Sequence, residues 1–180
     1  MWQVASVTPG IRPYLLADRQ DVLDLSIRAW EPVFGSLKAA LGPVIFDRLH
    51  PDWVLDQSTA VDAVLHDDDT DVWVAETEGR VVGFTAIRID GRRKLGEIYM
   101  IAVDPSAQNE GIGSLLTNHA LERCSAAGMV VAMIDTGGDP GHAPARGTYE
   151  KAGFSPLPIV RYFKALDRER PERSSSVPSA

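Results

Sequence analysis

The sequence predicts a mixed α/β (α+β) domain: a central twisted sheet, mostly antiparallel, flanked by helices. Three observations carry this. Residues 71–76 (DVWVAE) and 81–90 (VVGFTAIRID) are apolar-rich runs on either side of a TEGR turn, the pattern of a β-hairpin. The apolar run LGEIYMIAVD (95–104) is followed by a glycine turn, a helical pattern to about Ala127 and a second apolar run, MVVAMID (129–135), which reads as a βαβ unit. Helical periodicity dominates the first 66 residues, where Val22, Leu25, Ile27 and Trp30 recur at helical spacing among charged residues.

In order, a short strand is expected at 11–15 and an amphipathic helix at 17–34, with Pro32 near its end. One or two further helices should fill 36–66, punctuated at Gly42-Pro43 and His50-Pro51, because the residue before proline disfavours helix. In the hairpin, Val72 and Val74 fall on one face and Trp73 and Ala75 on the other. Strand 95–104 has few polar residues, which suits a central position. Pro144 fits the first turn of a short helix ending near Lys151, and a final strand pair is expected within FSPLPIVRYFKAL (154–166). Residues 1–167 form one domain, and 168–180, polar throughout, should be a disordered tail.

Composition narrows the function classes. A length of 180 residues with 44% apolar and 24% charged content suits one soluble domain. A formal charge of −7 argues against nucleic-acid binding and suits a small cationic substrate. The single cysteine, Cys124, excludes an internal disulfide and any multi-thiolate metal site, and at four-residue steps from Leu116 and Ala120 it reads as a packing residue. The four histidines are scattered, and HDDDTD (66–71) lacks the EF-hand spacing, so no metal is expected. Neither a signal peptide nor a membrane-spanning run is visible, which predicts a cytoplasmic protein without membrane contact.

The chemistry concentrates at SAQNEGIGSLL (106–116). Glycines at 111 and 113 allow close backbone approach, and a helix starting there presents unpaired N–H groups to an anion. The plain alternative is a tight turn with close helix–strand packing. A P-loop is excluded because Ser114-Leu115 follows Gly113, and a dinucleotide fingerprint lacks its third glycine. The spacing that fits is QxxGxG at Gln108, Gly111 and Gly113. With IAVDPSAQNEGIGSLL (101–116) and ARGTYEKAGF (145–154), the chain resembles the GNAT family of N-acetyltransferases over most of 71–165.

The resemblance implies a GNAT-type fold with an acetyl-CoA-binding βαβ core, and acetyl transfer from acetyl-CoA to a primary amine by direct attack in a ternary complex. Backbone amides from Gln108 through Asn109, Glu110, Gly111, Ile112 and Gly113 to Ser114 would hold the pyrophosphate. Ile101, Ala102 and Val103 would pair with the pantetheine arm as an added strand. Family members often carry a basic residue near 108–109; here two amides and Glu110 stand there, so N–H groups must do more than charge.

A free alkyl amine has a pKa of roughly 10.4, so a base is needed near neutrality. Glu97 matches the spacing of a family glutamate that acts as general base. Period-two alternation puts it on one face with Tyr99, Ile101 and Val103. It can equally be a strand-end carboxylate paired with Arg92, Arg93 or Lys94. Tyr149 matches the family's general acid for the leaving thiolate, or is a core aromatic. His142 replaces an asparagine that bonds pantetheine in the family; it could bind the cofactor, move a proton or sit on the surface. Trp30, Glu31 and Phe34 either line the acceptor pocket or pack helices together.

The acceptor stays open between a small-molecule amine, which the acidic charge favours, and a protein amine. A homodimer is a further partner the resemblance allows. Rival readings are a non-catalytic acyl-CoA-binding or sensor module, and a nucleotide-binding protein using the glycine turn.

Overall fold

The computed structural model describes residues 9–166, so the polar tail expected at 168–180 lies outside the described residues. The order is β1 (Gly10–Pro13), α1 (Arg19–Leu49), α2 (Trp53–Leu65), β2 (Thr70–Thr77), β3 (Arg80–Asp90), β4 (Leu95–Val103), α3 (Ile112–Ala126), β5 (Val131–Met133) and α4 (Ala143–Lys151). Short 3-10 turns stand at Leu16–Asp18, Pro105–Ala107 and Pro140–His142. The strands lie in the order β1-β2-β3-β4-β5, antiparallel except for the parallel pair β4–β5.

Two apolar faces explain the layering. On one, Val74, Phe84, Ala86 and Ala102 meet Val22 and Leu25 of α1 and Val61 and Val64 of α2. On the other, Val82, Ile87 and Ile98 meet Ile112, Leu116, Ala120 and Cys124 of α3. The alternation read from β2 holds, with Val74 under α1 and α2 and Ala75 towards α3. The hairpin turns at Glu78 and Gly79, both left-handed (φ 53° and 75°), the geometry a two-residue connection between twisted strands requires.

Three expectations need correction. Pro32 does not end the first helix, which runs to Leu49 with a break only at Gly42 (φ 74°, ψ 161°), where Pro43 starts a new helical segment. An interior proline removes one backbone bond, and the packing of Val22 and Leu25 before it and of Phe34 on Trp53 after it outweighs it. The final strand pair does not form: 155–166 carries no strand, and Leu157, Ile159 and Val160 are exposed. Pro156 and Pro158 lack the N–H donors that a paired strand needs. The last sheet strand is three residues long rather than seven, because β5 leaves β4 after Met133.

Two contacts set where β4 can sit. A Cβ on Gly96 would collide with the Sγ of Cys124 and come within 2.8 Å of its Cβ, so the start of β4 lies directly on α3. At the other end, buried Asp104 accepts from Arg28 Nη2 of α1 (2.6 Å) and from the Ser106 amide and hydroxyl (2.9 and 2.6 Å). Burial alone would raise this carboxyl; the Ser106 and Arg28 bonds outweigh it and bring the pKa down to about 2.

Gly96→Ala should lower the melting temperature by roughly 3–10 °C, from overpacking of about 1–3 kcal/mol. Gly91→Ala, where an added Cβ meets nothing within 4 Å, should change it little. Asp104, with its pKa depressed in the fold, contributes stability above about pH 4 that is lost as pH falls towards about 2. Urea unfolding from pH 5 to pH 2 should therefore cost the native protein up to about 2 kcal/mol more than Asp104→Asn; parallel curves would contradict this.

Candidate active site

β4 pairs with β5 only through Leu95, Glu97 and the residue between them, opposite Val131–Met133. Beyond Glu97 the two strands separate, and the β5-facing edge of β4 is open. The local cause lies on the other side of β4. Ala86 of β3 pairs with Met100 while Ile87 pairs with Ile98, so Tyr99 is an extra residue with no ladder partner. Such a bulge bends a strand and increases its twist, which turns the second half of β4 away from β5.

A cavity of about 720 Å³ occupies the opening. Ile98 to Val103 of β4 form one wall, and Ile134, Asp135 and Thr136, beyond β5, form the other. The glycine turn contributes Gln108, Asn109, Gly111, Gly113 and Ser114, α4 contributes Thr148 and Tyr149, and α1 contributes Trp30, Pro32 and Val33.

The turn has the geometry of an anion cradle. Asn109 (φ 64°) and Gly111 (φ 83°) are both left-handed, and Gly111 caps α3. Asparagine tolerates that conformation better than most side chains, and glycine adopts it without strain. The N–H groups of the first turn of α3 have no intrahelical acceptor and sit at the positive end of its dipole. The Gln108 amide donates to the Val103 carbonyl (3.2 Å), joining the turn to the open strand. Gly113 faces Thr148 and Val103, and a Cβ there would lie 3.8 Å and 3.9 Å from their methyl carbons.

Tyr149 is 8% exposed, sits edge-on to Phe154 (6.2 Å) and lines the cavity; burial pushes its phenol up to about 12. It therefore stays protonated across the working pH range and can donate. His142 also lines the cavity, and its Nδ1 lies 2.5 Å from Asp139 Oδ1.

Of the residues singled out from sequence, Ile101, Ala102, Val103, Gln108, Asn109, Gly111, Gly113, Ser114, His142, Tyr149 and Trp30 share this one cavity. Ile112 is instead a core residue beneath α3. Glu110 and Glu31 are exposed and outside the lining. Phe34 stacks on Trp53 (4.6 Å) and touches Phe46 and His50, so it packs α1 against α2.

Glu97 requires a correction. It pairs with Arg88 whereas Ile101 pairs with Thr85, an odd offset on β3 against an even one on β4. The bulge thus turns Glu97 to the α1 face, opposite Ile101 and Val103, and places it outside the cavity lining. Plain alternation carries no sign of a bulge. Sequence reading placed Tyr99 on a face but gave it no part in the site, where its ring lies 3.5 Å beneath the Arg88 guanidinium, and it missed the wall at Asp135 and Thr136. No local pattern marks either one.

A model described as the Acetyltransferase (GNAT) family matches residues 30–154. Mycothiol acetyltransferase of Thermomonospora curvata is 34% identical over 111 residues, 59% of this chain and 36% of that protein. The match thus spans about a third of the length of that curated relative. The fold is shared with PaiA N-acetyltransferase of Thermoplasma acidophilum, solved in complex with coenzyme A (TM-score 0.64, 14% identity, 82% of this chain and 90% of that one). It is shared as well with the ribosomal-protein-S18-alanine N-acetyltransferase of Escherichia coli (TM-score 0.63, 16% identity, 88% and 86%). Two sequence motifs, the opened β4 edge and the family match over most of the domain agree: this chain belongs to the GNAT acetyltransferase family.

Proposed function

We propose that the protein transfers acetyl from acetyl-CoA to a primary amine by direct attack in a ternary complex, with a small-molecule amine as acceptor. The observation that carries this reading is the separation of β5 from β4 directly above the glycine turn. An extended amide-bearing arm needs a free strand edge, and its diphosphate needs N–H donors at one end of that edge. β4 and the start of α3 supply both.

In this reading the turn from Gln108 to Ser114 holds the diphosphate through N–H groups, and Ile101 to Val103 pair with the pantetheine. The β5-facing edge of β4 has no strand partner beyond Glu97, so its main-chain N–H groups suit an oxyanion at the reacting carbonyl. Tyr149 supplies a proton to the departing thiolate. Glu97, on the α1 face and outside the cavity lining, takes no part in the transfer in this reading. The name of the curated relatives, mycothiol acetyltransferase, favours a small molecule over a protein as acceptor, and the charge of −7 suits a cationic one.

The test is mass-spectrometric detection of acetylated product from acetyl-CoA with an aminoglycoside, a polyamine, a free amino acid and a peptide. Transfer to one of the small amines is expected. Tight acetyl-CoA binding with no transfer and no slow hydrolysis would replace the enzyme reading by a binding module. Tyr149→Phe should lower kcat by about 10- to 100-fold while acetyl-CoA affinity stays within about threefold, since only proton donation is removed. With its phenol raised to about 12, Tyr149 should impose no alkaline limb on kcat below about pH 10.

A further inference from the structure

We propose that His142, oriented by Asp139 and Ser36, is the general base that takes the proton of the acceptor amine. The inference rests on the acetyl-transfer reading above and names a group that reading leaves open. The pair lies in TGGDPGH (136–142), the loop from β5 to α4, where it packs on α1.

The arrangement is built rather than incidental. Asp139 is nearly buried, with a side chain 10% exposed. Its Oδ1 meets His142 Nδ1 at 2.5 Å, and its Oδ2 accepts from the Gly141 amide at 3.0 Å. Ser36, from the middle of α1, bonds the same carboxylate and accepts from the Gly141 amide at 3.0 Å. Two glycines make the fit possible. A Cβ on Gly137 would collide with Asp139 Oδ1 and His142 Nδ1, and one on Gly141 would come within 2.8 Å of Ser36 Cβ. Arg146 fastens the loop from α4 by donating to the Gly137 and Asp139 carbonyls (2.6 and 2.8 Å).

This geometry selects the tautomer. Burial raises the Asp139 carboxyl, but bonds from Ser36 and His142 outweigh that and lower it, so at neutral pH it is ionised and only accepts. Nδ1 must then carry the hydrogen, which leaves the Nε2 lone pair available on a ring that lines the cavity. The turn that carries the ring packs on α1, through the Gly141 amide and Ser36. Asp139 is bonded to it, Arg146 to the backbone of its loop, and the other charged and titratable groups of the cavity lining are Asp135 of the same loop, Tyr149 and Lys151 of α4, and Tyr99 of β4. The lining residues of α1 are uncharged.

The acceptor's ammonium form gives one proton to Nε2. The neutral nitrogen forms a C–N bond to the acetyl carbonyl carbon, and the C–S bond breaks as Tyr149 protonates the thiolate. The nitrogen's second proton restores Tyr149 through solvent, and His142 releases its own to water. One proton is released per turnover.

The test compares the native protein, His142→Asn, His142→Gln, Asp139→Asn and Glu97→Gln. Acetyl-CoA affinity is measured by calorimetry, and turnover with the aminoglycoside, polyamine and amino acid probes is followed from pH 6 to pH 10. Both His142 variants should bind acetyl-CoA within about threefold of native, yet lose about 100-fold in kcat/KM near pH 7. That deficit should shrink towards a few-fold near pH 10, where the amine deprotonates unaided. Asp139→Asn should show a smaller loss, about tenfold, with the same pH dependence, and Glu97→Gln should show none. A pH-independent deficit matched by weaker acetyl-CoA binding would assign His142 to holding the cofactor and overturn the proposal. So would a pH-dependent deficit in Glu97→Gln alone. Failure of the native protein to acetylate any probe would instead remove the acetyl-transfer reading itself.

Discussion

One extra residue in a strand governs the architecture of the site. Tyr99 has no partner on β3, and the bulge it forms bends β4 away from β5 after a parallel pairing of only three residues. The bulge also exchanges faces along the strand: Glu97 turns towards α1 while Ile101 and Val103 turn towards α3. Both ends of the bent strand are fixed independently. Gly96 lies hard against Cys124 of α3, and Asp104 is tied to Arg28 of α1. The opening is therefore held by packing at one end and by a buried carboxylate at the other.

Charge enters this site mostly through the backbone. The glycine turn brings Gln108, Asn109 and Glu110 where a basic side chain would have been the simpler anion ligand. The left-handed residues Asn109 and Gly111 aim main-chain donors of the first turn of α3 instead. Two carboxylates, buried Asp104 and partly buried Asp139, have structural duties. Asp104 positions the end of β4, and Asp139 fixes a histidine ring. The net charge of −7 thus says little about the cofactor side and more about which acceptors can approach.

Much of the fold was legible because its signals are local. The Glu78-Gly79 turn, the two faces of β2, the Gly42-Pro43 break and the start of α3 each depend on residues within a few positions of one another. The cavity lining from the glycine turn and from Tyr149 was legible for the same reason, since QxxGxG and the tyrosine block are short strings. What escaped depends on distant partners. Pro32 continues a helix because residues packed elsewhere along that helix hold it. The side Glu97 faces follows from a bulge defined by β3, not by β4. The role of His142 depends on Ser36, which reaches the loop from the middle of α1, 105 positions before Gly141. Phe34 and Trp30, four residues apart on one helix, part company because only Trp30 reaches the opening.

The central claim is that the β4 edge freed by the bulge receives the acetyl-CoA arm while the start of α3 receives its diphosphate. Hydrogen–deuterium exchange with and without acetyl-CoA tests it most directly, because backbone pairing slows amide exchange where it forms. The account predicts new protection confined to 98–103 and 108–114, with ATP and NAD producing none at 98–103. Protection elsewhere, or equal protection by ATP, would contradict it.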